Sequence, residues 1–253
     1  MLRIYALHCG SLEFDLSLFF PASAQGVRIV TPVSSYLIVH PQGKVLFDTG
    51  IHCDALTDPA GRLGKRVASL FGLRSRAGED VVSQLATLGI GPDDIRYVVN
   101  SHFHFDHCGC NASFTRATFL VQRAELLAAR TERNRYNPKD WDHPLDYREI
   151  DGEHDVFGDG VLVLLPTPGH TPGHQSLWIR WDAGTQFVLT ADACYTQEHL
   201  EKTILPGAVH DAAQMTQSLA MLRGLRDRQG VKLLYGHDAG QWDAMPHAPH
   251  PFI

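Results

Sequence analysis

The sequence lacks the features of several large classes of protein. None of its 253 residues lie in an apolar run that approaches the roughly 20 residues of a membrane-spanning helix. Basic charge is also low, because 22 Lys and Arg stand against 28 Asp and Glu and give a net charge of −6. No general positive field attracts nucleic acid or anionic lipid, so neither a nucleic-acid partner nor a membrane partner is expected.

Cysteine is scarce as well, and five cysteines without regular spacing do not make a disulfide framework. The first residues lack the basic start, apolar core and small-residue cleavage site of a secretory signal, so a cytoplasmic protein is expected. With 44% apolar residues the chain can bury a sizeable core. Since no compositional break divides it, we expect a single domain over residues 1–253.

Strands and helices alternate along the chain. Predicted strands cover residues 27–39, 44–48, 95–100, 118–121, 161–165, 175–181, 186–190 and 231–235. Predicted helices cover residues 78–88, 123–130 and 211–228, the last with Asp211 as its cap. This order favours an α/β fold, an αββα sandwich of two mixed β-sheets flanked by helices. Residues 53–76 and 131–148 fit neither element type, and each is either a lid, a pocket wall or a surface excursion.

Histidine, in contrast, is abundant, with 15 residues, and the densest group follows the strand at residues 95–100. His102 and His104 are two apart on an extended stretch, so both side chains can bind one ion. A turn that begins at Asp106 directs Asp106 and His107 at a neighbouring ion. Imidazole nitrogens and carboxylate oxygens are ligands of zinc and similar metals. The run therefore predicts a metal site rather than a polar loop.

Three later strand ends each add one potential ligand: His170, Asp192 and His237. A layered sheet collects the loops at its strand ends into one site, and a carboxylate can bridge two cations. We therefore predict two divalent ions, zinc in the first instance, although cobalt, manganese and iron also suit this donor set. The first ion takes His102, His104 and His170, the second takes Asp106, His107 and His237, and Asp192 lies between them. His174 is expected to be a hydrogen-bonding support, and Cys108 and Cys110 to be buried thiols.

The pattern H-x-H-x-D-H with distant His, Asp and His resembles the metallo-β-lactamase superfamily over nearly the whole chain. LFDTG at residues 46–50 looks like an early strand-end motif of that superfamily, in which Asp48 supports the ligands. Asp192 and Tyr195 resemble the D-x-x-Y of the N-acyl homoserine lactone lactonases. The segments NSHFHFDHCGCN and DACYTQEHLE are also similar to 4-pyridoxolactonase. One departure is Cys110, where such enzymes carry a second glycine, and it puts the shape of this loop in question.

The resemblance implies a dinuclear lactone hydrolase, in which a metal-bridging hydroxide attacks the ring carbonyl. Tyr195 would donate to the carbonyl oxygen or the developing oxyanion, and Asp106 would pass a proton to the leaving alkoxide. The first expectation is an N-acyl homoserine lactone lactonase. 4-Pyridoxolactonase or another small-lactone or ester hydrolase stays open, with a mono-iron persulfide dioxygenase as a remote alternative. The small-molecule lactone is the expected partner, and a homodimer is compatible with the same resemblance.

The two lactones place different demands on the pocket. An acyl chain needs an apolar wall, which Phe14, Phe19, Phe20, Phe105 and Leu63 could supply. An acidic pyridine needs a nearby cation, and the candidates are the basic residues of the two unassigned stretches: Arg62, Lys65, Arg66, Arg74, Arg76, Arg133 and Arg135. The sequence does not place these side chains relative to the metals.

Overall fold

The computed structural model describes residues 2–181 and 184–252. Within these ranges the strands are β1 Arg3–Asp15, β2 Arg28–His40, β3 Gly43–Phe47, β4 Gly72–Leu73, β5 Ile95–Val99, β6 Thr118–Gln122, β7 Asp146–Ile150, β8 His154–Asp155, β9 Leu162–Pro166, β10 Gln175–Arg180, β11 Gln186–Ala191 and β12 Lys232–Tyr235. The α-helices are α1 Pro59–Leu63, α2 Lys65–Leu70, α3 Val81–Thr87, α4 Phe105–Cys108, α5 Arg123–Thr131, α6 Pro138–Trp141, α7 Gln197–Lys202, α8 Ala212–Gln229 and α9 Ala239–Asp243.

The strands form two sheets of mixed direction. The larger has the order β4-β1-β2-β3-β5-β6-β7, in which β1, β2 and β3 are antiparallel and β3, β5, β6 and β7 are parallel. The smaller has the order β12-β11-β10-β9-β8, with β11 and β12 as its parallel pair. Because parallel strands end at the same edge of a sheet, the residues that follow β3 and β5 are neighbours, as are those that follow β11 and β12.

The two sheets pack face to face, and helices cover their outer faces. Buried side chains such as Phe47 of the larger sheet and Leu177 of the smaller one share a single apolar layer. On the outer face of the larger sheet, α3 packs through Leu85, and on that of the smaller sheet α8 packs through Leu222. Each layer removes an apolar face from water, which is the main driving force for this arrangement. The predicted αββα sandwich of two mixed sheets is confirmed.

The longest helix, α8, shows how local sequence sets an element's bounds. Asp211 caps it by accepting a hydrogen bond from the Gln214 backbone N–H at 3.0 Å, as the sequence predicts. The helix ends where Gly230 takes a left-handed conformation with a φ of 66°. Among the described residues, no helix is both long and apolar enough to cross a membrane.

Four strands, β1, β4, β7 and β8, are absent from the sequence predictions. The 13-residue β1 has a bulge between His8 and Ser11, and this irregularity interrupts an alternating pattern. β4, β7 and β8 are edge strands of the two sheets, where apolar residues are not required. The unassigned residues 53–76 and 131–148 contain α1, α2, β4, α6 and the start of β7, so both carry more structure than a surface excursion.

Candidate metal centre

The predicted ligands all lie at the edge of the sandwich where the strands of both sheets end. Asp48 follows β3, residues 101–107 follow β5, Asp192 follows β11 and His237 lies just after β12. His170 lies in the loop between β9 and β10, and Gln175 at the start of β10 donates from its backbone N–H to the Ser101 carbonyl at 2.9 Å. This bond joins the two sheets beside the histidine motif.

Three histidines and one carboxylate form the first cluster. His104 Nδ1 lies 2.9 Å from His102 Nε2 and 2.9 Å from His170 Nε2. Asp192 Oδ2 completes the group at 3.2 Å from His170 Nε2 and 3.8 Å from His102 Nε2. These four donor atoms lie within 4.8 Å of one another, so a single ion could contact all of them.

The second cluster lies beside the first and shares Asp192 with it. Its members are Asp106, His107 and His237, whose donor atoms also lie within 4.8 Å of one another. Asp192 Oδ1 is 3.1 Å from both His107 Nε2 and His237 Nε2, whereas the other oxygen, Oδ2, faces the first cluster. The structure thus brings all seven predicted ligands together, with one oxygen of Asp192 directed at each group.

Unpaired buried atoms indicate that this arrangement suits cations. Among the described residues, His107 Nε2 and Asp192 Oδ1 are buried without a hydrogen-bond partner. An unsatisfied buried polar atom costs roughly 1–3 kcal/mol, so a protein that holds two of them at one point normally binds something there. A mixed set of imidazole nitrogens and carboxylate oxygens fits divalent ions of the zinc type.

The charge states of His102, His170 and Asp192 also fit metal binding. Burial, together with neighbouring His107, holds the pKa of His102 well below its ordinary value, and burial does the same for the pKa of His170. Both imidazoles are therefore neutral and free to bind a cation through nitrogen. Burial alone would raise the pKa of Asp192, but the charges of the neighbouring His107 and His237 hold it well below the ordinary range. The shared side chain is a carboxylate.

Supporting hydrogen bonds fix the ligands from behind. Asp48 accepts from the Ser101 backbone N–H at 2.7 Å and lies 2.8 Å from His107 Nδ1, so its carboxylate orients that ring. His237 Nδ1 donates to the Pro32 carbonyl at 2.9 Å. His174 is a support as predicted, because its Nε2 accepts from the Asp192 backbone N–H at 3.1 Å.

Tyr195 lies at the side of the first cluster. Its hydroxyl is 3.3 Å from His170 Nδ1, and burial together with the Asp192 and Asp106 charges raises its pKa well above the ordinary value. The phenol therefore stays protonated and can donate. The Phe19 ring packs against Tyr195 with 4.3 Å between centroids and lies 5.6 Å from the His237 ring, so one side of the centre is apolar.

Comparison with known proteins adds to this geometry. Residues 28–237 match the model of the metallo-beta-lactamase superfamily. The chain belongs to the metallo-β-lactamase superfamily. Within that superfamily it is 36% identical to the N-acyl homoserine lactonase AttM of Azorhizobium caulinodans, over 98% of this chain and 97% of that protein. It is 34% identical to the N-acyl homoserine lactonase AiiA of Bacillus thuringiensis subsp. kurstaki, over 94% of each chain.

Solved structures of the superfamily give the same result. An N-acyl homoserine lactone hydrolase with the product N-hexanoyl-L-homoserine bound at its catalytic metal centre aligns with a TM-score of 0.90. That chain is 32% identical, and the alignment covers 98% of both chains. The fold expected from the superfamily resemblance is therefore confirmed.

The position of Cys110 in the motif loop does not require glycine, unlike that of its neighbour Gly109. A Cβ at the preceding Gly109 would lie 2.6 Å from the His52 backbone nitrogen, so that position requires glycine. Cys110 has a φ of −101°, which any residue can adopt. Its buried thiol donates to the Ile51 carbonyl at 3.3 Å, and Cys108 is buried too, so both are thiols of the interior as expected.

The unassigned stretches contribute to the surroundings of the centre. Tyr136 is buried and its ring lies over His104 with 6.0 Å between centroids, so part of residues 131–148 is a wall of the site. Arg62 is buried and pairs with Asp140 at 2.5 Å, and Arg74 pairs with Glu13, so neither is free to meet an acidic substrate. Arg135 lies 3.3 Å from His210 Nδ1, near the first cluster.

The predicted aromatic wall divides into two parts. Phe19 contacts the centre, whereas Phe14 is fully buried and packs behind Phe19 with 4.5 Å between ring centroids. Phe20 packs on His199 at 4.4 Å, and the His199 ring nitrogen Nε2 donates to the Phe19 carbonyl at 2.9 Å. His199 thus fixes the segment that carries Phe19, a role that no spacing in the sequence indicates.

Proposed function

We propose that this chain is a dinuclear metal-dependent lactonase that hydrolyses N-acyl homoserine lactones, which are quorum-sensing signals. The observation that supports this proposal most strongly is the shared carboxylate of Asp192, which lies between two clusters of ligands with Tyr195 beside it. The identity of 32–36% to N-acyl homoserine lactonases over nearly full length supports the substrate class.

The proposed ligands are His102, His104 and His170 for the first ion, and Asp106, His107 and His237 for the second, with Asp192 shared. Two bound divalent ions would supply Lewis acidity and lower the pKa of water, so that hydroxide forms near neutral pH. Zinc is the proposed metal, because its usual ligands are imidazole and carboxylate, and cobalt, manganese and iron are the alternatives.

Tyr195 is the proposed donor to the carbonyl oxygen of the lactone. A protonated phenol in a buried site stabilises negative charge that develops on that oxygen more strongly in the transition state than in the substrate. Asp106 is the proposed group that takes the proton of the hydroxyl group added to the carbonyl carbon and hands it to the alkoxide released when the ring opens, so that the products are a carboxylate and an alcohol. Phe19 would contact the apolar part of the substrate, because its ring covers the flank next to Tyr195.

The proposed single domain spans residues 1–253. The apolar layer between the sheets draws on residues from Leu2 to Met245, which supports one continuous core. A homodimer stays a prediction, and the same is true of the cytoplasmic location.

The experiment that tests the function is a proton-release assay with a pH indicator on metal-analysed enzyme. The substrates are butanoyl to dodecanoyl homoserine lactones, 4-pyridoxolactone and a linear ester. Rapid turnover of the acyl lactones with two ions bound is the expected result. Turnover of 4-pyridoxolactone alone would identify that compound as the substrate instead. Turnover of the linear ester alone would show that the enzyme is an esterase and not a lactonase.

Metal analysis in the same experiment tests the redox alternative. A mono-iron persulfide dioxygenase would contain one iron and consume oxygen with a persulfide substrate. We expect two zinc-type ions and no oxygen consumption. Two bound ions with no turnover of any lactone would contradict the proposed function and leave only the fold in place.

A further inference from the structure

A buried carboxylate outside the two clusters connects the loops that carry the first cluster. Glu125 lies in the first turn of α5 and has no exposed surface. Its Oε1 accepts a hydrogen bond from the Phe103 backbone N–H at 3.0 Å, and its Oε2 accepts from the Gly173 backbone N–H at 3.0 Å. One side chain thus holds two loops that are 70 residues apart in sequence.

The two loops are those that supply the three histidines of the first cluster. Phe103 lies between His102 and His104, and Gly173 lies three residues after His170. His104 and His170 come within 2.9 Å of each other, so their spacing depends on how closely the two loops approach. The Glu125 carboxylate sets that approach on the side away from the metal positions.

Close packing at Gly173 reinforces the connection. A Cβ at position 173 would lie only 2.1 Å from the Glu125 backbone nitrogen, so the loop touches the start of α5. Any larger residue at position 173 would push the loop and the helix apart. Both the main chain and the side chain of Glu125 therefore hold the His170 loop in place.

A second path leads from Glu125 to the first cluster through Tyr136. The Tyr136 hydroxyl lies close enough to the Glu125 carboxylate to lower its pKa, and the Tyr136 ring lies over the His104 ring. The second cluster has different supports, because Asp48 orients His107 and the Pro32 carbonyl orients His237. Glu125 therefore serves one cluster selectively.

We propose that Glu125 is a positioning residue that sets the spacing of His104 and His170 and so controls how tightly the first cluster holds its ion. This inference rests on the proposed metal centre. Partners that orient metal ligands in this way typically change metal affinity by about 10- to 100-fold when they are replaced.

Glu125→Gln is the informative variant. It keeps the shape of the side chain, but its amide can accept from only one of the two backbone N–H groups and presents N–H to the other. The matched control is Asp140→Asn, because Asp140 is equally buried but pairs with Arg62 and with neither loop of the first cluster.

The measurement follows the transfer of metal from the fully loaded enzyme to a chelating indicator over time. Each ion is expected to give one kinetic phase. His170→Ala and His237→Ala assign the two phases to the first and second cluster. We expect Glu125→Gln to accelerate only the first-cluster phase, by about 10- to 100-fold. Asp140→Asn should lower the thermal stability and leave that phase unchanged.

Two results would overturn the inference. One is that folded Glu125→Gln releases both ions at the wild-type rates. The other is that Glu125→Gln and Asp140→Asn accelerate both phases to the same extent. If Glu125→Gln does not fold, Tyr136→Phe decides, because it removes the hydroxyl contact and keeps the ring over His104. A smaller acceleration of the same phase supports the inference, and an unchanged phase contradicts it. Unaltered release from His170→Ala would instead contradict the proposed metal centre itself.

Discussion

His174 Nε2 accepts a hydrogen bond from the backbone N–H of Asp192 across 3.1 Å, so one imidazole holds the shared carboxylate residue from behind. Burial lowers the pKa of His174 to about 3, so the ring is neutral and this nitrogen can act as an acceptor. The other nitrogen, Nδ1, lies 2.8 Å from the Thr167 hydroxyl, which fixes the orientation of the ring. His174 is therefore a residue that positions Asp192 through a hydrogen bond and is not one of the proposed ligands.

His174→Ala should weaken both stability and turnover. It leaves the buried Asp192 N–H without a partner, which costs about 1–3 kcal/mol in the free energy of unfolding. Turnover should fall by about 10- to 100-fold, because Asp192 loses its fixed position. Denaturant unfolding and lactone kinetics measure the two effects. His154→Ala, at a half-buried edge position, serves as the control, and equal effects of the two substitutions would contradict this role.

Asp192→Ala should abolish activity and remove one ion. The carboxylate directs one oxygen at each cluster, so without it nothing joins the two positions. We expect one ion per chain by elemental analysis and a loss of turnover larger than the about 100-fold expected for an outer support. Two ions with wild-type turnover would show that Asp192 is not shared.

Tyr195→Phe should keep both ions and lose mainly rate. The substitution removes only the hydroxyl, and the ring still packs against Phe19. If the phenol stabilises developing charge, kcat falls by about 10- to 100-fold while KM changes less. Steady-state kinetics with hexanoyl homoserine lactone measures the changes in kcat and KM separately. An unchanged kcat would exclude Tyr195 from the chemistry.

Metal removal should lower the melting temperature. Each ion that binds only the folded chain stabilises it by about 4 kcal/mol when its free concentration is a thousand times Kd. For a chain of this size that corresponds to roughly 8–16 °C for each ion removed. Calorimetry before and after chelation measures the difference, and re-addition of zinc should restore it. Identical melting curves would argue that the clusters hold no structural cation.

The stability of the metal-depleted chain should depend on pH through Glu125. Burial raises the pKa of Glu125 to about 7, above that of an unfolded carboxyl, so the folded chain binds the extra proton. Relative to Glu125→Gln, the wild type should therefore lose up to about 3 kcal/mol as pH rises from about 4.5 to 7, and no more above that. Parallel stability curves from pH 4.5 to 8 would contradict this pKa.

The sequence predicts those parts of the molecule that depend on local pattern. β5 is a short buried strand, and its predicted position at residues 95–100 agrees with Ile95–Val99. The ligand spacing in residues 102–107 is also local, since it needs only an extended stretch and a turn. Strand ends at Asp192 and His237 follow from buried apolar runs that stop abruptly.

What the sequence does not predict depends on contacts between distant residues. The Pro32 carbonyl meets His237 over a separation of 205 residues, and a backbone oxygen leaves no signature in a motif. In the sequence, Glu125 resembles any acidic residue in the first turn of a helix, where a negative charge interacts favourably with the helix dipole. Only the fold shows that it is buried and that it holds two loops.

The candidate metal ligands come from both sheets, with His102 after a strand of one and Asp192 after a strand of the other. The thickness of the apolar layer between the sheets therefore affects the distances between donor atoms that the two sheets carry. Val99 and Leu189 are both buried in that layer, and because protein interiors are close-packed, a change of one methyl group at either position should shift one set of donor atoms against the other. Variation in the core, remote from any substrate, is thus a route by which natural selection can adjust the reaction rate of this enzyme.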